Sequence, residues 1–441
     1  MKQDARAPTI SRRQGSEPTP VSYAQRRLWF LDRLEPNSPT YNMPFTLRLS
    51  GPLDVEALRG AFERLTHRHE VLRTTFEARD GEAFQRVHAP SPGSMPVVDL
   101  SEFASERDEE ARRLADEEAR RPFDLERGPL LRTTLLKLSE SEHVLLVNMH
   151  HIISDGWSTG VMMREFAAHY EALRHGQATA LPELPIQYAD YAAWQRESLT
   201  GRTLEKQLEY WARQLADAPS TLRLPTDRPR PVMPSGRGAE LSVMIPAKVA
   251  EGVKRLAQRE GATSFMVLLA GFQLLMSRLS GQEDLVVGAL SAGRSRRELE
   301  GLIGFFVNTM VLRADLSGNP TVTRFIGQVT ETALGAFSNQ DVPFEMLVEK
   351  LAPQREPGRP PLIQVLFTLQ NAWANALRLD GLTATPDEVH NGMAKFDLTL
   401  QVGERAEGLE AAFNYNVDLF DAATVERIGR QYSALLEGLC A

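Results

Sequence analysis

An apolar run in the first half of the chain ends in a cluster of polar residues. Residues 143–149 read His-Val-Leu-Leu-Val-Asn-Met, and such an apolar, β-branched run is typical of a buried strand. His150 and His151 follow this run, and Asp155 and Gly156 come next at a predicted turn. The apolar positions after the turn recur with a period near 3.6 residues, which predicts a helix. The polar cluster is therefore expected where a buried strand ends and a helix begins.

The pattern along the rest of the chain predicts a mixture of helices and strands. Asp54, for example, stands as an N-cap before apolar residues at helical spacing. We predict helices near 21–31, 55–65, 247–260 and 264–280, and strands over 285–290 and 303–313. We find no short-period internal repeat, so a mixed α/β fold is expected.

Proline and glycine mark the predicted boundaries. Residues 1–19 combine prolines and a glycine with charged and hydroxyl side chains, which predicts a flexible linker. Pro182 and Pro185 interrupt the chain after the predicted helix. We therefore place a boundary there, with one lobe over 20–184 and a second over 185–441.

Composition and charge narrow the class of protein. The chain of 441 residues is 42% hydrophobic and 24% charged, which is typical of a globular protein. Its net charge of -8 argues against a general nucleic-acid binder. The single cysteine, Cys440, excludes an internal disulfide and suits a reducing cytoplasm. An apolar run of about 20 residues, as a membrane span requires, is not found, and the N-terminus lacks the apolar core of a signal peptide. We expect a cytoplasmic protein.

The two adjacent histidines suggest acid–base chemistry more than metal binding. Neighbouring side chains on a strand point to opposite faces, so a persisting strand directs only one of His150 and His151 into a cleft. We find no further histidine or cysteine at metal-ligand spacing. We therefore expect no metal here, and one histidine acting beside polar neighbours.

A second pattern overlaps the first and predicts a different chemistry. Residues 156–160 read Gly-Trp-Ser-Thr-Gly, which fits the Gly-x-Ser-x-Gly nucleophile elbow of hydrolases, with His390 as a candidate triad partner. The elbow requires a strand that runs directly into the first glycine, whereas residues 150–155 intervene here. We regard the hydrolase as the weaker hypothesis.

The pattern His-His-x-x-x-Asp-Gly at 150–156 resembles the signature of the condensation domains of nonribosomal peptide synthetases. It is also similar to that of related CoA-dependent acyltransferases such as chloramphenicol acetyltransferase. Further stretches resemble the other motifs of these domains, in the expected order from residue 21 onward: 21–31, 68–76, 121–132, 188–194, 303–313, 339–345 and 355–367. The last stretch departs from the family pattern, since Glu356 and Pro360 stand where the family usually has aspartate and asparagine.

The resemblance implies a fold and a set of site residues. The fold would consist of two chloramphenicol acetyltransferase-like lobes that form a V-shaped pseudo-dimer. The second histidine, His151, would be catalytic. The residues that would support the active site are His150, Asp155, Gly156, Arg73 and Arg294, and those that would line the substrate tunnel are Trp157, Ser158 and Asn308. Asp155 has two interpretations: it orients His151 as in a triad, or it holds the loop through an ion pair, for which Arg294 is the expected partner.

The resemblance also implies an activity. The family joins a donor acyl or peptidyl thioester on one carrier protein to the amine of an aminoacyl thioester on another, and our sequence is most similar to domains that join two L-residues. The implied partners are the donor and acceptor peptidyl carrier domains and a neighbouring adenylation domain. The chain itself would be a monomer. It would bind no cofactor, because the substrates are attached to the phosphopantetheine of the carrier domains. Two alternatives stay open: a free-standing acyltransferase that uses CoA or a carrier, and a non-catalytic recruiting module of this fold, although such modules usually lose the histidine motif.

Overall fold

The computed structural model describes residues 9–13, 15, 17–351, 358–370, 379–387 and 389–441. The strands, numbered in chain order, are β1 (Thr19–Pro20), β2 (Asn42–Ser50), β3 (Thr74–Arg79), β4 (Glu82–Val87), β5 (Val97–Asp99), β6 (Leu131–Lys137), β7 (Glu142–His150), β8 (Gly238–Pro246), β9 (Asp284–Ser291), β10 (Asn308–Asp315), β11 (Val365–Gln370), β12 (Thr383–Asp387), β13 (Leu398–Arg405) and β14 (Gly408–Asn416). The helices are α1 (Tyr23–Leu34), α2 (Val55–Arg68), α3 (Arg107–Arg120), α4 (Gly156–Arg174), α5 (Tyr188–Ser198), α6 (Gly201–Gln214), α7 (Ala247–Arg259), α8 (Ser264–Ser280), α9 (Val322–Ser338), α10 (Phe344–Leu351) and α11 (Ala422–Cys440).

The chain divides into two compact units with interleaved segments. Unit 1 comprises Met1–Thr200, Arg294–Phe306 and Trp373–Asn391, and unit 2 comprises the remaining residues. This division differs from the boundary predicted at 184/185, because the first unit continues through α5 and gains two segments from the second half of the chain. A segment distant in sequence can join a unit without any break in composition, so prolines alone do not reveal such an exchange.

The described residues of unit 1 form two sheets. The larger has the strand order β12-β2-β7-β6-β5, and β7 lies at its centre with antiparallel neighbours on both sides. The smaller has the order β1-β4-β3. Asp54 caps α2 as predicted, because its carboxylate accepts a hydrogen bond of 2.9 Å from the Ala57 N–H. A central strand that is buried along its length explains why β7 is almost continuously apolar.

The strands described in unit 2 form one sheet with the order β10-β9-β11-β13-β14-β8. The two predicted helices before β9 are present as α7 and α8. Gly281 caps the C-terminus of α8, and its φ of 71° is the left-handed conformation that glycine adopts readily. Within the described residues, none of the helices is by itself long and apolar enough to cross a membrane. Helices α7 and α8 pass the same test only as a pair, with a bend of 109° between them.

The described part of segment 1–19 is packed onto unit 1, which corrects the prediction of a flexible linker there. Ile10 is 5% exposed. The Arg13 N–H donates to the Asp190 carboxylate at 2.9 Å, and the Arg13 guanidinium pairs with Glu70 at 2.5 Å. Proline and charge content resembled a linker, but ion pairs with partners far along the chain fix this segment. Residues 1–8, 14 and 16 lie outside the described residues, as do residues 355–357 of the last motif.

The strand predicted over 303–313 begins only at Asn308. Its first part belongs to unit 1 as the end of Arg294–Phe306. The backbone N–H groups there donate to side chains instead of to a neighbouring strand, as the next subsection describes. The backbone N–H groups of this apolar run are thus hydrogen-bonded without belonging to a sheet. The spacing of apolar residues does not distinguish such a run from a strand.

Candidate active site

Strand β7 ends at His150, and a 3₁₀ turn over His151–Ile153 follows it. The backbone N–H of His150 donates to Leu130 O at 3.0 Å, and that of His151 donates to Tyr41 O at 2.8 Å. The His150 side chain is buried, whereas that of His151 is half-buried. The two histidines therefore occupy different environments, and because the strand ends between them, the turn and not strand alternation sets the direction of His151.

The His151 ring is held in one tautomer. Its Nδ1 lies 2.8 Å from the Ser154 carbonyl oxygen. A carbonyl oxygen only accepts hydrogen bonds, so Nδ1 carries the proton, and Nε2 of the neutral ring keeps its lone pair. The Phe305 ring lies edge-on to the imidazole, with 4.8 Å between ring centroids. A side chain with one nitrogen fixed and one nitrogen basic is suited to accept a proton.

His150 supports the turn from the other side. Its Nδ1 accepts a hydrogen bond of 3.1 Å from the Ile152 N–H. Its ring also lies beside the ring of Phe123, with 6.0 Å between centroids. This contact with the backbone inside the turn suits the supporting role predicted for His150.

Asp155 lies at the centre of a buried polar cluster. Its side chain is fully buried, and its Oδ1 accepts hydrogen bonds from the Ser158 N–H at 2.8 Å and from Arg294 Nη2 at 3.2 Å. Its Oδ2 accepts from the Phe306 N–H at 3.0 Å. The predicted ion pair with Arg294 is thus present, and both of its residues belong to unit 1. Asp155 also caps α4, so one carboxylate joins the turn, the helix and Arg294–Phe306.

Both terminal nitrogens of Arg294 donate hydrogen bonds, whereas its Nε has no hydrogen-bond partner among the described residues. Its Nη1 donates to Leu299 O at 2.7 Å, and its guanidinium lies 4.0 Å from the centroid of the Phe306 ring. Burial lowers the pKa of Arg294, and the neighbouring carboxylate of Asp155 opposes that shift. A guanidinium stays charged in proteins, so the buried cation depends on Asp155 for neutralisation.

The end of Arg294–Phe306 bonds to side chains through its backbone. The Ile303 N–H donates to His69 Nδ1 at 3.4 Å, and the Gly304 N–H donates to Ser158 Oγ at 3.0 Å. Gly304 also packs so closely on the Tyr188 ring that an added Cβ would lie 1.9 Å from a ring carbon. Side chains from three elements therefore fix this stretch beside His151.

Gly156 and Trp157 lie at the exposed start of α4. A Cβ added at Gly156 would meet no atom within 4 Å, so the space beside this glycine is open. The Trp157 side chain is 43% exposed, and its Nε1 donates to Glu300 O at 2.9 Å. The open approach to the backbone suits the role predicted for Gly156, and substrate contact by Trp157 stays a prediction.

Ser158 requires a correction. We predicted it as a substrate-binding residue, but its side chain is fully buried. Its hydroxyl donates to Gly304 O at 2.8 Å and accepts from Arg294 Nη2 at 2.7 Å. A buried hydroxyl with these partners is a structural group, and it is equally unsuited to be the nucleophile of the hydrolase hypothesis, which needs an exposed serine.

Two further predicted residues have hydrogen-bond partners other than those of Asp155. Arg73 follows α2 and donates to the His88 carbonyl, with Glu70 3.8 Å away, so it has the carbonyl and anion partners that a half-buried arginine requires. Asn308 belongs to unit 2, where its amide donates to Gln340 O at 2.8 Å and to Val342 O at 2.6 Å. Both amide hydrogens therefore hold the turn before α10, which favours the structural alternative for Asn308 over substrate binding.

Sequence reasoning missed three residues of the site. Gln25 and Ser22 form a capping box at the start of α1, and Gln25 Nε2 also donates to Ile152 O inside the His151 turn at 3.2 Å. The Tyr188 hydroxyl donates to Phe305 O at 2.6 Å. The Ser-x-x-Gln spacing of the capping box was visible in the sequence, whereas the two contacts with distant carbonyls had no sequence signal.

Among the described residues, one group of potential metal ligands lies elsewhere in unit 1. Glu171 Oε2 and Asp380 Oδ2 lie 3.7 and 3.9 Å from His175 Nε2, at the end of α4. The Arg174 guanidinium donates to the Asp380 carbonyl beside them. A cation already stands next to this half-exposed cluster, so we assign no metal to it.

The chain has extensive sequence similarity to large peptide synthetases. A linear gramicidin synthase polypeptide of Brevibacillus parabrevis is 52% identical over 420 residues, which cover 95% of this chain and 5% of that protein. Phosphinothricin tripeptide synthetase PhsC of Streptomyces viridochromogenes is 40% identical over 443 residues, which cover 98% of this chain and 40% of that protein. The chain thus spans less than half the length of either relative.

Solved structures share the fold, and a family model covers nearly the whole chain. The X-domain from teicoplanin biosynthesis superposes with a TM-score of 0.87 at 30% identity, covering 98% of this chain and 97% of that one. The first condensation domain of the CDA synthetase does so with a TM-score of 0.80 at 22% identity, covering 97% and 98%. The mixed α/β fold of the condensation domains is thereby confirmed. Because the family model described as "Condensation domain" matches residues 16–441, and the His-His-x-x-x-Asp-Gly residues form the turn described above, the chain belongs to the condensation domain family.

Proposed function

We propose that this chain catalyses peptide-bond formation between two carrier-bound thioesters, with His151 as the catalytic residue. The observation that carries the proposal is the hydrogen bond of 2.8 Å between His151 Nδ1 and Ser154 O, because it leaves Nε2 as the basic nitrogen. The relatives' names, linear gramicidin synthase and phosphinothricin tripeptide synthetase, support peptide products. The residue types and their geometry fit a proton transfer that needs no bound cofactor.

The reaction balances with His151 as the proton carrier. The α-amine of the acceptor aminoacyl thioester attacks the donor thioester carbonyl, which forms the C–N bond. The neutral form of the acceptor amine is the nucleophile, and an α-amino group with an ordinary pKa of about 7.7–8.0 is partly in that form near neutral pH. Its nitrogen must lose one proton to become the amide nitrogen. Nε2 of His151 accepts that proton. The tetrahedral intermediate then collapses with cleavage of the C–S bond, and the departing thiolate takes the proton from the imidazolium.

Donor and acceptor are proposed to be carried on phosphopantetheine arms of carrier domains, and both residues to be L-configured. The space beside Gly156 suits the approach of an extended thioester arm to the start of α4. Cleavage of the thioester supplies the free energy for amide formation, so the protein has only to orient the reactants and transfer one proton.

The proposal is tested by transfer between carriers. A donor and an acceptor carrier domain are loaded with a panel of L- and D-aminoacyl groups, and the dipeptidyl carrier is detected by intact mass. We expect His151→Ala to lose about 10²–10⁴ in rate, the usual contribution of a positioned general base. His175→Ala is the matched control, because this histidine lies exposed at the end of α4, and it should react as the wild type does.

The alternatives give different results in the same assay. Equal rates with acyl-CoA and with the carrier-bound donor would favour a free-standing acyltransferase. The X-domain, which was solved in complex with OxyB, resembles this chain in fold, and a recruiting module would bind carriers yet form no peptide with any pair in the panel. Full activity of His151→Ala would refute the proposed base.

A further inference from the structure

Two stretches that resemble family motifs, 21–31 and 188–194, meet in a chain of hydrogen bonds in unit 1. The Gln25 N–H donates to Ser22 Oγ at 3.1 Å, Ser22 Oγ lies 2.8 Å from the Tyr188 hydroxyl, and that hydroxyl donates to Phe305 O at 2.6 Å. Tyr188 has one hydroxyl hydrogen, which the Phe305 carbonyl requires, so Ser22 must donate to Tyr188. All donors therefore point the same way, towards Phe305, and such chains strengthen each of their bonds.

The chain of hydrogen bonds ends at the residue whose ring contacts His151. Phe305 is 8% exposed, and its ring lies edge-on to the imidazole with 4.8 Å between centroids. The second hydrogen-bonded connection from α1, between Gln25 Nε2 and Ile152 O at 3.2 Å, reaches the turn that bears His151. The His151 imidazole is thus positioned both by the backbone of its own turn and by its edge-on contact with the Phe305 ring.

Tyr188 is fully buried, and the ring of Phe306 packs against it with 4.8 Å between centroids. Burial raises the pKa of Tyr188 well above its ordinary value, so its hydroxyl is a permanent donor at any pH at which the protein is studied. Gly304 packs on the same ring. The tyrosine thereby fixes three consecutive residues of Arg294–Phe306, the middle one by a hydrogen bond.

We propose that Tyr188 is a positioning residue, which acts through Phe305 to hold the His151 imidazole in its reactive orientation. The inference rests on the proposed function of His151. Tyr188 contacts no reacting atom: its hydroxyl fixes the Phe305 carbonyl, the Phe305 ring limits rotation of the imidazole, and Nε2 keeps its direction. Misplacement of a reacting group by about 1 Å costs about 100-fold in rate, so a looser ring has a measurable effect.

The chain offers a matched control for the loss of the hydroxyl. Tyr432 in unit 2 is also fully buried, and its hydroxyl also donates to a backbone carbonyl, Leu268 O, at 2.9 Å. Tyr188→Phe and Tyr432→Phe therefore both remove a buried hydroxyl that donates to a backbone carbonyl, although the Tyr188 hydroxyl also accepts from Ser22. Both variants should melt below the wild type, and only Tyr188→Phe should lower kcat, by about 10- to 100-fold, with the KM for the acceptor carrier within about twofold of the wild type.

A spectroscopic readout needs no substrate. In the ¹⁵N-labelled chain of 441 residues, the His151 ring signals are identified by their loss in His151→Gln, and the two ring nitrogens report the tautomer. We expect the wild type and Tyr432→Phe to show a protonated Nδ1 and an unprotonated Nε2, and Tyr188→Phe to show a mixture of tautomers. Unchanged His151 signals in a folded Tyr188→Phe variant would overturn the inference.

A double-mutant cycle tests the route through Phe305. Phe305→Leu removes the ring on His151 but keeps the backbone carbonyl that Tyr188 holds. If the two residues act in series, adding Tyr188→Phe to Phe305→Leu should lower kcat by no more than about twofold. Independent, multiplicative losses would refute the route, and so would equal kinetics of Tyr188→Phe and Tyr432→Phe. An active His151→Ala would instead refute the proposed function, and the tautomer measurement would still decide whether Tyr188 orients the ring.

Discussion

Removal of the charge on Asp155 should destabilise the protein before it affects any chemical step. In Asp155→Asn, one oxygen becomes an NH₂ group that must face either the Phe306 N–H or the Ser158 N–H and Arg294, all of which are donors. Arg294 keeps its charge with 1% of its side chain exposed. The variant thus combines a clash between donors with an uncompensated buried cation.

The magnitude follows from the burial of the pair. Breaking a buried ion pair by removing one partner costs about 3–5 kcal/mol. For a cooperative unit of roughly 200 residues, each kcal/mol lowers Tm by about 2–4 °C. We therefore expect Asp155→Asn to melt about 6–20 °C below the wild type, and to lose peptide formation to the extent that the turn and Arg294–Phe306 loosen.

The assay is thermal melting by circular dichroism, paired with carrier-to-carrier transfer well below the lower Tm. Asp397→Asn is a control in unit 2, because it breaks the ion pair between the buried Asp397 and the half-buried Arg230. It should lower Tm and leave the transfer rate of the folded protein unchanged. If Asp155→Asn melted within about 2 °C of the wild type yet formed no peptide, the ion-pair interpretation would be refuted, and Asp155 would have to act directly on His151.

Two further predictions concern other buried polar groups. Burial lowers the pKa of His169 to about 4, from an ordinary value of 6.5. As the pH falls, the unfolded chain therefore binds a proton at this histidine before the folded chain does. The free energy of unfolding should thus be highest above pH 6.5 and decrease as the pH drops towards 4. Urea denaturation at several pH values should show a shallower loss in His169→Gln, and an identical slope would contradict this cause. Asn308→Asp removes the donors to Gln340 O and Val342 O and should cost about 1–3 kcal/mol in urea denaturation; unchanged stability with a raised KM would indicate substrate contact instead.

The local sequence determined the elements that carry the site. The apolar run before His150 predicted β7, and the spacing of apolar residues after Gly156 predicted α4. Side chains that face the core must be apolar, so the period of the strand or helix appears in the sequence. The pairing of Asp155 with Arg294 was predicted on the resemblance to the family, and the structure contains that pair. A buried acid requires a buried base, which limits the choice of partners strongly.

The tertiary structure alone decided which distant groups complete the site. Tyr188 and Phe305 are 117 positions apart, and the carbonyl that receives the hydroxyl is a backbone group that every residue possesses, so no pattern of side chains could reveal the contact. For the same reason the run after Ile303 resembled a strand, although its N–H groups bond to His69 and other side chains. A sequence specifies its periodic faces locally, whereas the partners of individual backbone groups depend on how the folded chain brings separate segments together.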